Sequence, residues 1–337
     1  MKQRRTSRPE PEIRATDVAY FRTQRGAAYL GEAADLLKSL PDGSINLVLT
    51  SPPYALHFKK GYGNANQNEY VRWFLGFAED FRRLLTDDGS LVIDIGGAWT
   101  PGKPTRSLYH FELLLALCRE TGFHLAQEFF WYNPAKLPSP AEWVTVRKIR
   151  VKDSVNCLWW LSKTENPKAD NRRVLLEYSR DMHRLLKRGY RSKVRPSGHV
   201  ITQKFSDNGG SIPPNVLIFG NNDANGVYLS RCQEAGIRPH PARFPIQLPT
   251  FFIRFLTDPG DLVLDPFAGS NTTGEAAERE GRRWLSFERE ERYLAGSVFR
   301  FDPTTWTAVD LTQRDGDPGA RREELLFDLS PETGPQC

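Results

Sequence analysis

Cysteine is scarce in this chain. Four occur in 337 residues, Cys118, Cys157, Cys232 and Cys337, and no two stand in C-x-x-C spacing. That argues against a zinc cluster or a disulfide scaffold and suits a reducing cytoplasm. Long apolar runs are missing too. Mean hydropathy is −0.52, and no stretch approaches the ~20 apolar residues a membrane span needs. The basic N-terminus leads into no apolar segment, which predicts no secretory signal. Two phosphate-binding signatures are also lacking. Without G-x-G-x-x-G a dinucleotide reading is weakened, and without Gly-Lys-Ser/Thr a phosphate-gripping loop is a poor fit. The histidines and cysteines show no metal-ligand spacing, so no metal is expected.

What is present begins with charge. The chain has 46 Lys+Arg against 41 Asp+Glu, a net +5. The excess is local: residues 142–204 hold 16 basic and 6 acidic side chains, so the rest of the chain is net negative. Trp143, Trp159, Trp160, Tyr178 and Tyr190 are interleaved with those charges. Such a mixture suits a nucleic-acid surface. A solvated face, or one paired with acidic neighbours, would have the same composition.

Periodicity then organises the chain. Residues 28–40 have helical spacing and stop at Pro41-Asp42-Gly43. Ile45 to Thr50 reads as a buried strand, 69–85 as an amphipathic helix closed by Asp87-Asp88-Gly89, and Leu91 to Ile95 as a second strand. A helix over 107–121 and a strand over 123–132 follow. The rhythm lapses between two Pro/Gly/Asn-rich stretches, 133–142 and 195–226, with one helix expected at 172–187. It returns with a helix at 247–256, a strand at 262–265, a helix at 273–281 and a strand at 284–288. Strand–helix alternation of this kind predicts an α/β sheet. The expected division is a flexible basic N-terminus (1–12), an α/β catalytic and cofactor-binding domain (13–132 with 235–301), an inserted basic region (133–234) and a loosely attached tail (302–337).

Two strand ends carry chemistry. Asp265-Pro266-Phe267-Ala268-Gly269-Ser270-Asn271-Thr272-Thr273-Gly274 follows one strand and opens a helix. Gly269 allows a tight turn with close backbone approach, and the helix start offers free N–H groups. Glu288 ends the next strand, about 20 positions on, where an acidic residue commonly holds ribose hydroxyls. Together they favour an adenosine-type cofactor. A bare glycine turn would look the same in isolation. The other strand end is Thr50-Ser51-Pro52-Pro53-Tyr54. Its prolines remove two backbone donors, leaving a stiff loop of carbonyls and a hydroxyl suited to an amine-bearing substrate. Tyr54 adds a flat face, and on this reading only its ring matters. Pro-Pro alone would equally make a rigid turn.

Taken jointly, these motifs resemble the amino-methylating DNA methyltransferases. Thr50 to Tyr54 is similar to their S/D-P-P-Y/F catalytic loop, and Asp265 to Gly274 to their S-adenosylmethionine loop. His240-Pro241-Ala242-Arg243-Phe244-Pro245 is similar to the segment closing the methionine end of the cofactor pocket. The order, catalytic loop first and cofactor loop last, is that of the family's β group, and the likeness runs through most of residues 28–301. It implies a Rossmann-like S-adenosylmethionine-dependent methyltransferase sheet, with helices on both faces and an irregular inserted target-recognition region. It also implies a cytoplasmic enzyme acting on double-stranded DNA, the protective counterpart of a restriction endonuclease with which it forms no stable complex. Serine in the catalytic loop favours cytosine N4; aspartate there would favour adenine N6. Adenine, RNA, and a non-catalytic DNA-binding protein with a vestigial pocket are the alternatives. None of the four cysteines follows a proline, as the cytosine-C5 branch requires.

The implied catalytic set is Ser51, Pro52, Pro53, Tyr54 and Asp94. Ser51 Oγ and the Pro52 carbonyl would accept from the target amine, and Asp94 would orient Ser51 or take the proton, unless it merely caps a strand end. Tyr54 would stack on a base flipped from the duplex. The cofactor set is Asp265, Phe267, Gly269, Ser270, Asn271, Thr272 and Glu288, with His240 and Phe244. Lys136, Arg147, Lys148, Arg150, Lys152 and Arg195 are the DNA-contact candidates, for phosphate more than for bases.

Overall fold

The computed structural model describes residues 18–54, 69–188, 207–221 and 226–308. Within them one sheet has ten strands: β1 (Phe21–Thr23), β2 (Gly26–Leu30), β3 (Ile45–Thr50), β4 (Leu85–Ile95), β5 (His124–Tyr132), β6 (Val155–Ser162), β7 (Val216–Ile218), β8 (Leu262–Asp265), β9 (Arg283–Glu288) and β10 (Trp306–Ala308). Their order across the sheet is β10-β1-β2-β9-β8-β3-β4-β6-β5-β7. The central strands β2, β9, β8, β3 and β4 run parallel. β3 is buried at every position, as a strand covered on both faces must be.

The helices are α1 (Ala33–Ser39), α2 (Tyr70–Leu84), α3 (Tyr109–Arg119), α4 (Arg180–Arg188), α5 (Val227–Glu234), α6 (Gln247–Leu256), α7 (Thr272–Arg279) and α8 (Glu291–Ser297). α1 to α3 lie on one face, where Leu37, Phe74, Phe81 and Leu113 meet Val48, Ile93 and Leu264. α6 to α8 lie on the other, where Phe252, Ala276 and Leu294 meet Leu47, Val263 and Trp284. Alternate residues of one strand thus feed opposite cores. In α2 the buried positions Tyr70, Phe74, Phe77, Phe81 and Leu84 form one stripe.

The topology places a ligand site by rule. β3 pairs with β4 on one edge and with β8, some 215 residues later, on the other. Strand order reverses there, and open α/β sheets bind ligands at the carboxyl ends beside such a reversal.

Several expectations need correction. The element read as a helix from residue 28 begins as a strand: Gly26–Leu30 pairs with β9, and the helix starts at Ala33. Asp87-Asp88-Gly89 does not close α2, which ends at Leu84; it lies within the span of β4, as a bulge between the Ile45–Leu85 and Leu47–Ser90 pairs. The helix read over 172–187 is broken. A 3₁₀ turn at Asn171–Val174 gives way to α4, because Leu176 exchanges both backbone hydrogen bonds with Ser211. The basic region is no separate insertion either. It contributes β6, between β4 and β5, so Trp159 and Trp160 are core residues rather than a nucleic-acid surface. Lys168 also binds Asp261 at 2.7 Å, welding the segment after β6 to the start of β8. The tail starts inside the sheet, since β10 pairs with β1. Residues 1–12, Tyr190, Arg195 and 309–337 lie outside the described residues.

Close packing of β2 on β9 depends on Gly26. A Cβ there would lie 2.3 Å from the Trp284 indole and 2.4 Å from its carbonyl oxygen. Trp284 is itself stacked on Phe301 and cannot retreat. Gly26→Ala is therefore expected to lower unfolding free energy by roughly 1–3 kcal/mol, measured by urea denaturation. An unchanged midpoint would show that the contact relaxes without cost.

Candidate active site

The carboxyl ends of β2, β3, β4, β8 and β9 open into one cavity of about 480 Å³. Ser51, Pro52, Pro53, Tyr54 and Asp94 line one end of it. Phe267, Gly269, Ser270, Thr272, Glu288, His240 and Phe244 line the rest. The Ser51–Tyr54 loop and the Phe267–Glu288 stretch, more than 200 residues apart in sequence, therefore share one space.

At the first end, Asp94 is 2% exposed and held by three donors. Ser51 Oγ donates to its Oδ2 at 3.2 Å and Tyr54 Oη to the same oxygen at 2.9 Å. Asn156 Nδ2 donates to Asp94 Oδ1 and to Tyr54 Oη, both at 3.1 Å. Each hydroxyl has one proton and two lone pairs. With its proton committed to Asp94, Ser51 presents lone pairs to whatever enters the cavity. Burial pushes the Asp94 carboxyl up to about 6, while the bonds from Asn156, Tyr54 and Ser51 and the Lys136 charge restrain the rise. Burial and then the Asp94 charge hold the Tyr54 phenol well above its usual range, so it remains a donor. The Tyr54 ring lies against Gly96, where a Cβ would come within 2.7 Å of it. The view that only this ring matters is corrected: the hydroxyl is part of the carboxylate's cage.

At the other end the turn after β8 is built around Gly269, at φ +53°. A Cβ there would meet the His240 ring at 3.1 Å, so the imidazole closes over the turn. His240 is held by its ring contact with Tyr293, at 4.5 Å, and by a 2.6 Å hydrogen bond between Nδ1 and the Ala242 carbonyl. Glu288 Oε2 accepts from Gly269 N at 2.8 Å, and Oε1 from Glu290 N at 2.9 Å. Burial raises its pKa. A carboxylate has about four acceptor positions, so Glu288 retains capacity toward the cavity. Trp73, Phe77 and Phe267 provide an aromatic wall, with Phe267 edge-on to Phe77 at 5.2 Å.

Two of the expected cofactor residues are not in the cavity wall. Asp265 is buried behind it, where Oδ1 accepts from Thr50 Oγ1 at 2.7 Å and Phe267 N at 3.1 Å, and Oδ2 from Thr273 Oγ1 at 2.7 Å. It braces the end of β3 against the start of α7. Asn271, also fully buried, adopts φ +59° and caps Gly274 N at 3.0 Å. Side chains this short are used on their own backbone as readily as on a ligand.

The basic candidates divide likewise. Lys136 lines the cavity. Lys152 Nζ is spent on the Pro134 and Lys136 carbonyls, and Arg150 on those of Pro104 and Ile149. Arg147 lies over the Trp143 ring at 5.2 Å, and Lys148 is exposed at φ +55°. Arg195 is outside the described residues.

Asn156, Trp131, Asn133 and Asn221 line the cavity without having been foreseen. The apolar run Leu158 to Leu161 was the available signal for β6, and hence for Asn156 at its entrance. Arg300 was also missed: it grips Ser270 Oγ at 2.8 Å and Glu275 at 2.8 Å from behind the turn.

Asp265→Ala would strand two buried hydroxyls and one backbone N–H. A loss of roughly 2–4 kcal/mol in unfolding free energy is expected, instead of a pure binding defect. Burial raises the Asp265 pKa to about 6, against ~3.9 unfolded. Its ionisation therefore costs stability: the contribution of the protonated carboxyl is full below pH ~4 and is lost as pH rises through about 6. Asp265→Asn, which keeps an acceptor without the charge, should be the milder change at pH 8. Equal denaturation midpoints for parent and Asp265→Ala would remove the bracing role.

Known proteins share this arrangement. A family model described as DNA methylase matches residues 45–299. The type II methyltransferase M.PvuII of Proteus hauseri is 56% identical over 285 residues, covering 83% of this chain and 85% of the relative. The type II methyltransferase M.Cfr9I of Citrobacter freundii is 25% identical over 304 residues, 80% of this chain and 85% of the relative. The solved structure of the PvuII DNA methyltransferase (cytosine-N4-specific) superposes with a TM-score of 0.69 at 46% identity, covering 91% of this chain and 92% of that one. With a family match over residues 45–299, which spans both strand-end motifs, and 56% identity to M.PvuII over most of the chain, the chain belongs to the N6/N4 DNA methylase family.

Proposed function

We propose that this protein transfers the methyl group of S-adenosylmethionine to the exocyclic N4 of a cytosine turned out of double-stranded DNA. The observation that carries this reading is the single cavity in which Glu288 and the Gly269 turn meet the Ser51–Asp94 pair. Its donor set suits the cofactor: a buried carboxylate for ribose hydroxyls, an aromatic wall for adenine and His240 over the turn. When bound there, the cofactor supplies an electrophilic methyl on a sulfonium centre.

The chain's own residues act on the nucleophile. Cytosine N4 is a weak one because its lone pair is delocalised into the ring. Ser51 Oγ and the Pro52 carbonyl accept its two hydrogens and favour a pyramidal nitrogen. The nitrogen gains a methyl and must lose a proton, for which Asp94 Oδ2, ionised at neutral pH, is the acceptor through Ser51. Orientation and preset dipoles supply most of the rate. Phosphate contacts fall to the basic loop bearing Arg147 and Lys148. DNA as substrate makes the site of action cytoplasmic; among the described residues no helix is long and apolar enough to cross a membrane. Its biological counterpart is a restriction endonuclease acting on the same sequence, with no stable complex between the two.

Ser51→Ala removes an acceptor used chiefly as the nitrogen becomes pyramidal. Single-turnover methylation should fall on the order of a hundredfold or more, with DNA affinity nearly unchanged. Methylation at the parent rate would end the loop's assigned role, and N6-methyladenine as the product would overturn the base.

A pH series tests the carboxylate. Below about pH 6 Asp94 is protonated, so the single-turnover rate should drop about tenfold per pH unit. Asn156→Ala withdraws a bond that favours the ionised form, and should move this limb to higher pH. A flat profile between pH 5 and 8 would exclude Asp94 as proton acceptor.

A further inference from the structure

Flipping a base leaves a hole in the stack, and the structure provides an object of suitable shape to fill it. Leu137 and Val151 are the two most exposed large hydrophobic residues described, at 80% and 86%. They stand on two chain segments joined by the Asp153 N to Ser139 O hydrogen bond, 3.2 Å long. Lys152 Nζ ties the same segments together, bonding the Pro134 and Lys136 carbonyls at 3.2 and 3.3 Å. Asn133 N bonds Ser154 O at 2.9 Å at the base of the pair, and Arg150 bonds the Pro104 carbonyl at 2.8 Å from the side. Asp153 is further held by an ion pair with Arg106. The loop is thus fastened along its length while its apolar crest is left in water.

Placement and charge identify the occupant. Lys136, next to Leu137, lines the cavity that holds Ser51 and Asp94. The crest therefore adjoins a residue of the cavity wall. Lys136 and Lys152 adjoin Leu137 and Val151 in the chain, and exposed Arg147 and Lys148 lie on the stretch between them; charge of that sign is complementary to phosphates on either side of an opened step. An apolar crest on a basic stretch of chain is the chemistry of side chains that enter a nucleic-acid stack.

We infer that Leu137 and Val151 form a wedge that enters the duplex where the target cytosine has left it, holding the flipped state open. This rests on the proposed DNA-methylating function and adds to it the residues that lower the cost of extrusion.

The test uses the full chain and two duplexes carrying the sequence it methylates, mapped by sequencing DNA modified by the parent. In one duplex the target cytosine is paired. In the other it faces a non-complementary base, so that extrusion is already inexpensive. For the Leu137→Ala/Val151→Ala double variant, the single-turnover rate on paired DNA should fall at least tenfold. On mismatched DNA it should stay within about twofold of the parent. Both side chains are exposed, so the thermal midpoint should not move. An undiminished rate on paired DNA overturns the wedge, as does an equal loss on both duplexes, which would indicate a general contact. Failure of the parent to methylate cytosine in any DNA overturns the underlying function instead, and the wedge with it.

Discussion

The Thr50 hydroxyl donates to Asp265 Oδ1 at 2.7 Å, across the boundary where β3 meets β8. Those residues end two neighbouring parallel strands that the chain reaches at widely separated times. Asp265 also takes the Thr273 hydroxyl and the Phe267 N–H. The loop after β3 carries Ser51, and the loop after β8 carries the turn under His240. One buried carboxylate therefore sets the spacing between the part of the cavity lined by Ser51 and Asp94 and the part lined by Gly269 and Glu288. Charge so deeply buried is costly, and it is tolerated because both oxygens accept from donors, Oδ1 from two and Oδ2 from one.

Asp94 and Glu288 repeat the pattern with different consequences. All three acids lie at strand ends, where the sheet's carboxyl edge gathers loops and side chains. Asp265 accepts from three donors and lies outside the cavity wall. Asp94 is caged by Ser51, Tyr54 and Asn156 but lines the cavity, so its titration is available to chemistry. Glu288 spends part of its capacity on backbone N–H groups and keeps part for a ligand. Access to the cavity, not residue type or donor count, separates brace from reagent.

The basic region shows the same division at larger scale. Part of what looked like a nucleic-acid surface by composition is interior: Trp159 and Trp160 pack in opposite faces of the sheet. Lys168 and Arg173 are consumed by Asp258 and Asp261. Among the described residues, the fastened loop beside the cavity is turned outward with its basic side chains and apolar crest, as are the basic residues of α4. A charge surplus counted along the chain cannot separate these uses, because ion pairing is settled by partners distant in sequence.

Much was determined by sequence alone. The apolar runs ending at Thr50 and Asp265 specify strands, because such runs must be covered on both faces. The Pro-Pro and Gly269 loops that follow specify stiff turns, because proline and glycine constrain or free the backbone locally. Family, cofactor loop and the Ser51–Asp94 candidates were legible for that reason. Residues whose role depends on a partner across the sheet were not. Asp265 and Asn271 belong to a cofactor-like motif yet turn away from the cavity. Asn156 enters the site only because β6 pairs with β4, and residue 28 leaves its helical pattern because β9 offers a strand edge. Local rules fix what a segment can form; which groups it faces was decided by the tertiary structure, since hydrogen-bond saturation and burial exist only once distant strands have met.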